Sequence, residues 1–175
     1  MVEMTIYGVS FDLVGKQPIV LLKTAEGNKF LPIWIGHPEA AAILMKLQGA
    51  SAPRPLTHDL LVNMLGELDV EVVRVTVTEL RENTFHASIT VAQNGNEIEV
   101  DSRSSDAIAV AVRAHAPIFA ADAVIEESAI EFEGEEVNEE EIIDEFKSFL
   151  DRVSAEDFAE VEEEEGEERE EREEE

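Results

Sequence analysis

The sequence predicts an α+β fold: a compact, strand-rich domain with helices, built from a duplicated unit of three strands and one helix. Strand-like segments, in which apolar and polar residues alternate or apolar residues form a short continuous run, occur in two groups of three. Each group leads into a segment rich in alanine and branched apolar residues, which is typical of a buried helix. Beyond Asp122 the composition changes and acidic residues dominate, which indicates a separate C-terminal region.

The first forty residues predict a three-stranded meander. The strands are predicted over 5–12, 18–23 and 30–35. The turn-like sequence Glu26-Gly27-Asn28 separates the second strand from the third. A helix is predicted over 38–48, because Pro38 stands at an allowed first-turn position and Gly49 stands where a helix would stop.

A second helix is predicted over 58–67, after a loop rich in proline and alanine. Thr57 is the expected N-cap, because its hydroxyl can accept a hydrogen bond from a free N–H group of the first turn. The apolar residues of this helix fall on one face: Leu60, Leu61, Met64 and Leu65.

The second half of the domain repeats the order of the first. The strands are predicted over 70–79, 84–92 and 97–100. The turn Asn94-Gly95 favours a hairpin between the last two strands. A helix follows over 106–115, with Ser104 or Ser105 as its cap, and the apolar segment 117–120 comes next.

Alignment of the two halves favours an internal repeat. The helical segment that begins at Glu39 aligns without a gap to the one that begins at Asp106, and this places Lys46 on Arg113. The shared order of four elements favours a duplication over a chance match between two alanine-rich helices. The two copies cover about residues 5–48 and 71–115.

The C-terminal region is predicted to lie outside the domain, which we place at residues 1–136. Residues 137–158 predict a helical extension, because apolar residues such as Phe146 and Phe149 recur at helical spacing behind an acidic first turn. Its apolar stripe could pack on the domain or on another subunit. Residues 159–175 are almost pure glutamate, a like-charge block that cannot form a core, and are predicted to stay disordered.

Charge and composition limit the chemistry of the chain. The net charge is −28, from 41 acidic and 13 basic residues. Molar salt screens such self-repulsion, which favours a halophilic cytosol; a mesophilic protein with an acidic tail is the alternative. The chain has no cysteine, which excludes disulfides, thiolate metal sites and a cysteine nucleophile. No apolar run is long enough to span a membrane, so we predict a cytoplasmic protein.

The first polar cluster lies where the last predicted strand gives way to a helix, in Asp101-Ser102-Arg103-Ser104-Ser105-Asp106. The N–H groups of a helix start can hold a phosphate, and Arg103 could add a bidentate contact. The two carboxylates could hold Mg²⁺ or Mn²⁺, which prefer oxygen ligands. The alternative is structural: a capped, dipole-complementing turn in which Asp101 and Arg103 pair.

The second cluster is Arg54-Pro55-Leu56-Thr57-His58-Asp59. His58 could act as a general base, a metal ligand or a phosphate-binding cation. Adjacent helix residues do not face each other, so Asp59 is not expected to orient His58 directly, and Asp59 is also an ordinary first-turn residue. His37 and Glu39, at the matching place in the first copy, form a weaker third candidate. The sequence has no basic patch with interleaved aromatic residues, which argues against strong electrostatic binding of nucleic acid.

Three motifs resemble, in order and spacing, the bifunctional nuclease domain family. They are Ile33-Trp34-Ile35-Gly36 followed by Glu39-Ala40, then Arg54-Pro55-Leu56-Thr57-His58-Asp59-Leu60-Leu61, then Asp101-Ser102-Arg103-Ser104-Ser105-Asp106-Ala107-Ile108-Ala109. The resemblance spans roughly residues 4 to 158. The sequence departs from the family at Ser104, where proline is common. The absence of this proline could loosen the turn that presents Arg103.

The resemblance implies a compact α+β domain, assembly into homo-oligomers, and nuclease activity on DNA and RNA. We expect hydrolysis of phosphodiester bonds, assisted by a divalent metal. The predicted metal ligands are Asp101, Asp106 and Glu39; the predicted substrate-binding residues are Arg103, Ser105 and Arg54; the predicted catalytic residues are Asp101, Asp106, His58 and Asp59. The competing hypothesis is a non-catalytic regulatory or protein-interaction module, in which the polar motifs are turn caps.

Overall fold

The computed structural model describes residues 1–11, 16–50 and 52–131. These residues form an α+β domain with eight strands in one mixed sheet and four helices, which confirms the predicted fold class. The elements are β1 (Val2–Phe11), β2 (Pro18–Thr24), β3 (Lys29–Trp34), α1 (His37–Leu47), α2 (Thr57–Glu67), β4 (Glu71–Arg81), β5 (Thr84–Gln93), β6 (Asn96–Arg103), α3 (Ser104–Ala114), β7 (Ile118–Ala120), α4 (Asp122–Ser128) and β8 (Ile130–Glu131). The predicted helical extension 137–158 and acidic tail 159–175 lie outside the described residues.

The sheet consists of two antiparallel meanders joined by a short strand. Its order is β6-β5-β4-β7-β1-β2-β3-β8. The joining strand β7 is parallel to β4 and antiparallel to β1. The first meander, β1 to β3, leads into α1, and the second, β4 to β6, leads into α3, which is the predicted element order. The internal duplication itself stays a prediction.

Helix α3 is the central element of the core. Its middle, residues 107–112, is apolar on every side, and a helix of that kind is stable only when it is enclosed. Ile108, Ala109 and Val110 are fully buried, and they belong to one large cluster with strand residues such as Leu22 and Val75. The two ends of α3 are therefore held in fixed positions, and each end carries an arginine.

Both predicted helix caps lie one or two residues too far along the chain. The N-cap of α2 is Leu56, and Thr57 is the first helical residue. The carboxylate of Asp59 instead accepts a hydrogen bond from the N–H of the N-cap residue Leu56, at 2.9 Å. The N-cap of α3 is Arg103, because pairing with β5 continues to Arg103 and the strand passes into the helix without a loop.

The apolar face predicted for α2 is mostly exposed. Val62 and Leu65 are partly buried against the core. The side chains on the outer side of the helix are 41–60% exposed: Leu60, Leu61, Met64 and Leu68. Helix α2 is thus the least enclosed of the long helices. No helix within the described ranges has the length and apolar character that crossing a membrane requires.

Candidate active site at the start of helix α3

Arg103 joins the starts of α1 and α3. It is the last residue of β6, and its side chain is 64% exposed. Its Nε donates a hydrogen bond to Oδ2 of Asp106 at 2.7 Å, and its Nη2 donates to Oε1 of Glu39 at 3.0 Å. The guanidinium therefore lies between two carboxylates that are far apart in the sequence.

Asp106 extends this cluster to α2. Its second oxygen, Oδ1, lies 2.9 Å from Nε2 of His58. The His58 side chain is 13% exposed and that of Asp106 is 28% exposed, so this contact is largely shielded from water. Glu39, Arg103, Asp106 and His58, named here the Arg103 network, thus link α1, β6, α3 and α2. The partner of His58 is Asp106, and the neighbouring Asp59 faces elsewhere.

The charges of the network reinforce one another. Burial raises the pKa of Asp106, but hydrogen bonds from Arg103 and His58 outweigh it and hold the pKa below its ordinary value. The hydrogen bond to Asp106, and then the one to Glu39, raise the pKa of Arg103. Asp106 is therefore ionised at neutral pH and can orient the imidazole of His58.

Gly36 leaves room for Glu39. It is the N-cap of α1, and a Cβ atom at this position would collide with Oε2 of Glu39. The absence of a side chain lets the Glu39 carboxylate fold back over the helix start, where it meets Arg103. The glycine of the first motif thus has a steric function in positioning the network.

A cleft of about 360 Å³ adjoins the Arg103 network. The starts of two eleven-residue helices face it, through Gly36 of α1 and through Arg103, Ser104 and Ser105 of α3. Ser128 also lines the cleft; its Oγ is buried and has no hydrogen-bond partner among the described residues. Helix starts carry free N–H groups and partial positive charge, so this cleft suits an anionic ligand. It is named here the first cleft.

Asp101 does not join the Arg103 network. It is an exposed strand residue opposite Ser88, and its side chain has no hydrogen bond or ion pair to another described residue. Its proposed structural pairing with Arg103 is therefore absent from the described part of the chain. No group of three or more His, Asp or Glu side chains in the described ranges is arranged to hold a metal. The carboxylates of Glu39 and Asp106 do not fit a cation while Arg103 bonds both, and the Mg²⁺ or Mn²⁺ site stays a prediction.

Asp59 belongs to a second cluster, at the other end of α3. Its Oδ1 accepts a hydrogen bond from Nε of Arg113 at 2.6 Å. The Nη1 and Nη2 atoms of Arg113 donate to the carbonyl oxygens of Ala109 and Ala42 at 2.9 and 3.1 Å. The Arg113 side chain is only 5% exposed. The hydrogen bond from the Leu56 N–H, followed by Arg113, lowers the pKa of Asp59 against the raising effect of burial.

Sequence reasoning missed the role of Arg113. The available signal was its alignment with Lys46, a basic residue in the last turn of a helix, in a chain with only 13 basic residues. Arg54 lies with both residues in another cleft, of about 290 Å³, which Asp59 also lines. This is named here the second cleft. Of the predicted site residues, Glu39, Arg103, Asp106 and His58 come together, Ser105 lines the first cleft, and Arg54 and Asp59 line the second.

Fold and site together define an α+β domain in which a cleft beside Arg103 and the start of α3 suits an anionic group. Comparison with known families then identifies it: the bifunctional nuclease domain matches residues 20–133, and the chain belongs to this family. The resemblance predicted from the three motifs is therefore confirmed.

Individual relatives support this assignment. Uncharacterized proteins from two strains of Mycobacterium tuberculosis are 38% identical over 162 residues, which cover 89% of this chain and 97% of each relative. Bifunctional nuclease 1 of Oryza sativa subsp. indica is 29% identical over 103 residues, 57% of this chain and 31% of the plant protein. Bifunctional nuclease 1 of Arabidopsis thaliana is 29% identical over 105 residues, 58% of this chain and 32% of the plant protein. The alignments with the plant proteins thus cover about a third of their length.

Proposed function

We propose that this protein is a nuclease that hydrolyses phosphodiester bonds in DNA, RNA or both. The observation that carries the proposal is the Arg103 network beside the first cleft. There the exposed Arg103 and the start of α3 line the cleft. Asp106 bonds Arg103 and connects it to His58, which lies behind the cleft lining. The names of the plant relatives point to the same activity.

The first cleft supplies the groups that a phosphate needs. The first-turn N–H groups of a helix are free to bind an anion, and helix α3 presents its first turn here through Ser104 and Ser105. Of α1, only the N-cap Gly36 lines the cleft. Arg103 has five N–H donors, and its exposed guanidinium can add charge-assisted hydrogen bonds to the phosphate. In this proposal Ser105 and Arg103 hold the scissile phosphate.

His58 is the proposed acid–base residue. When its Nε2–H donates to Asp106, its Nδ1 is the basic nitrogen and can take a proton from an attacking water. The oxygen of that water then bonds to phosphorus, and the bond to the leaving oxygen breaks. Protonation of the leaving oxygen by the same imidazole completes hydrolysis. Acid–base catalysis of this kind contributes on the order of 10²–10⁴ in rate.

Binding in this proposal depends on short contacts more than on long-range charge. Contacts between cationic residues and phosphates weaken steeply with salt, and the chain as a whole carries a net charge of −28. Hydrogen bonds from helix starts and a shared arginine act over short distances and are less affected by screening. Activity should therefore persist at salt concentrations that abolish purely electrostatic binding.

The proposal is tested by incubating the full chain with labelled single-stranded DNA, double-stranded DNA and RNA in dilute and in molar KCl. Each reaction is run with Mg²⁺, with Mn²⁺ and with EDTA. Cleavage should fall by at least about 100-fold in Arg103→Gln, Asp106→Asn and His58→Gln. Lys29→Gln is the matched control for Arg103→Gln, because it also removes one positive charge, from a residue that lines neither cleft.

The same assay decides the role of metal. Loss of cleavage in EDTA and in Asp101→Asn would support the predicted metal ligands. Cleavage that continues in EDTA would assign the reaction to the Arg103 network alone. Equal cleavage by wild type and all three network variants would refute the proposed site.

A protein-interaction module is the second candidate function. The observation that favours it is the exposed apolar face of α2, where Leu60 and Met64 are 53% and 54% exposed. In this case the wild type would associate through α2, and Leu60→Ser/Met64→Ser would sediment as a smaller species. Cleavage would be absent from both proteins. Sedimentation velocity beside the cleavage assay separates the two functions.

A further inference from the structure

The second cleft concentrates positive charge in a strongly acidic protein. Lys46, Arg54 and Arg113 line it, and Asp59 is the single acidic residue among them. Lys46 and Arg54 are exposed, whereas Arg113 is buried and already bonded to Asp59 and two carbonyl oxygens. Two exposed cations thus remain available to a ligand at this place.

The shape of the second cleft also suits a ligand. Its volume of about 290 Å³ is close to the lower end of the range for small-molecule sites. Part of its wall is apolar, through residues such as Pro53, Pro55 and Leu56. Cations beside an apolar wall can hold a phosphate and also accept the sugar or base attached to it.

The first and second clefts lie near opposite ends of α3. Arg103 precedes this helix and Arg113 lies in its last turn. Ten residues at the rise of an α-helix place the two ends ~15 Å apart. This separation corresponds to roughly four nucleotides at the spacing of 3.4 Å per nucleotide along one strand, and to fewer when the strand is extended. One strand of moderate length could therefore reach both clefts.

We infer that the second cleft binds a phosphate of the same nucleic-acid strand whose scissile phosphate lies in the first cleft, through Lys46 and Arg54. This inference rests on the proposed nuclease function and adds a second point of contact to it. Arg113 does not contact the phosphate; it holds Asp59 and the three helices that shape the cleft. The second cleft accordingly selects substrates long enough to span ~15 Å.

The test measures binding of fluorescent single-stranded DNA by anisotropy in EDTA, with oligonucleotides of two and of eight nucleotides. The full-length wild type should bind the octanucleotide at least tenfold more tightly than the dinucleotide. Lys46→Gln/Arg54→Gln should lose most of that difference. The slope of log affinity against log [KCl] should become shallower by about 0.7 for each phosphate contact removed.

Lys29→Gln is again the matched control, and thermal unfolding confirms that each variant is folded. If Lys46→Gln/Arg54→Gln lowers octanucleotide affinity only slightly, Lys46→Glu/Arg54→Glu should lower it further, because the new negative charges repel the strand. An octanucleotide affinity in the charge-reversal variant equal to that of the control would overturn the inference. So would a wild type that binds both lengths equally. Failure of the nuclease proposal alone would give a different result: the wild type would still bind the longer oligonucleotide more tightly but would cleave no substrate.

Discussion

The two ends of helix α3 use the same residue type in opposite ways. At the first end, Arg103 is 64% exposed and bonds two carboxylates, Glu39 and Asp106. At the second end, Arg113 is 5% exposed and bonds one carboxylate and two backbone carbonyl oxygens. Both arginines join three parts of the chain, yet only Arg103 has a surface that a ligand can reach.

This difference separates a stabilising role from a binding role. A buried arginine must have its donors satisfied, because removal of a charged group from water is costly. Arg113 meets this condition by bonding α1, α2 and its own helix. An exposed arginine gains little stability from its ion pairs, which water and salt screen. Arg103 is therefore better suited to act on a substrate than to hold the fold together.

The largest expected effect is on stability at Arg113. Arg113→Met should lower the free energy of unfolding by about 3 kcal/mol, because it leaves Asp59 and the Ala42 carbonyl without their buried partner. Arg103→Gln should lower it by less than about 1 kcal/mol. Urea denaturation of both variants in molar KCl measures the difference. Equal losses of unfolding free energy in the two variants would contradict the proposal that Arg113 stabilises the fold more than Arg103 does.

A smaller effect is expected at Asp59. Asp59→Asn should lower the free energy of unfolding at neutral pH by about 2 kcal/mol, because the cap of the Leu56 N–H weakens and the buried Arg113 loses its charged partner. The loss is smaller than at Arg113, since the asparagine Oδ1 can still accept a hydrogen bond from Arg113. The folded-state pKa of Asp59 is lowered, so its stabilisation is present above the ordinary pKa of 3.8 and is lost as the pH falls through the folded-state value. The difference in unfolding free energy between wild type and Asp59→Asn should therefore disappear below pH 3.8.

Denaturation curves collected from about pH 7 down to about pH 2 would measure how this difference in unfolding free energy decreases. Asp101→Asn is a suitable control, because Asp101 is exposed and its side chain has no ion pair with a described residue. A gap that stayed constant across the whole pH range would show that the Asp59 charge does not stabilise the fold.

The smallest effect on stability is expected at Gly36. Gly36→Ala introduces a Cβ that displaces the Glu39 carboxylate, but a flexible side chain can move away at low cost. We expect a loss of less than about 1 kcal/mol in unfolding free energy together with reduced cleavage, because Arg103 loses one of its two supports. Gly66→Ala is the matched control, since a Cβ there meets no atom within 4 Å. Unchanged cleavage in Gly36→Ala would show that Glu39 does not position Arg103.

Most elements of the fold could be predicted from local patterns. Alternation and short apolar runs identified six of the strands, and composition with helix start and stop signals identified α1, α2 and α3. Helix α4 was not predicted, because seven residues give too little periodicity to recognise. The insertion of β7 between the two meanders also could not be predicted, since strand order depends on contacts that are distant in sequence.

The site could be predicted as a set of residues but not as a geometry. Arg103 and Glu39 are 64 residues apart and His58 and Asp106 are 48 apart, and no local pattern pairs them. The exposure of Leu60 also could not be predicted. Helical spacing shows that a helix has an apolar face but not whether another part of the protein covers that face. Arg113 was missed because most of its partners are backbone oxygens, which the sequence does not display.

In our proposal the start of α3 contributes to catalysis, while Arg113 at its end contributes to stability. The most direct test is to measure cleavage and unfolding on one preparation of Asp106→Asn, which preserves shape but removes the charge that orients His58 and holds Arg103. We predict cleavage at least about 100-fold below wild type with the unfolding free energy within about 2 kcal/mol of it. Wild-type cleavage in this folded variant would contradict the account.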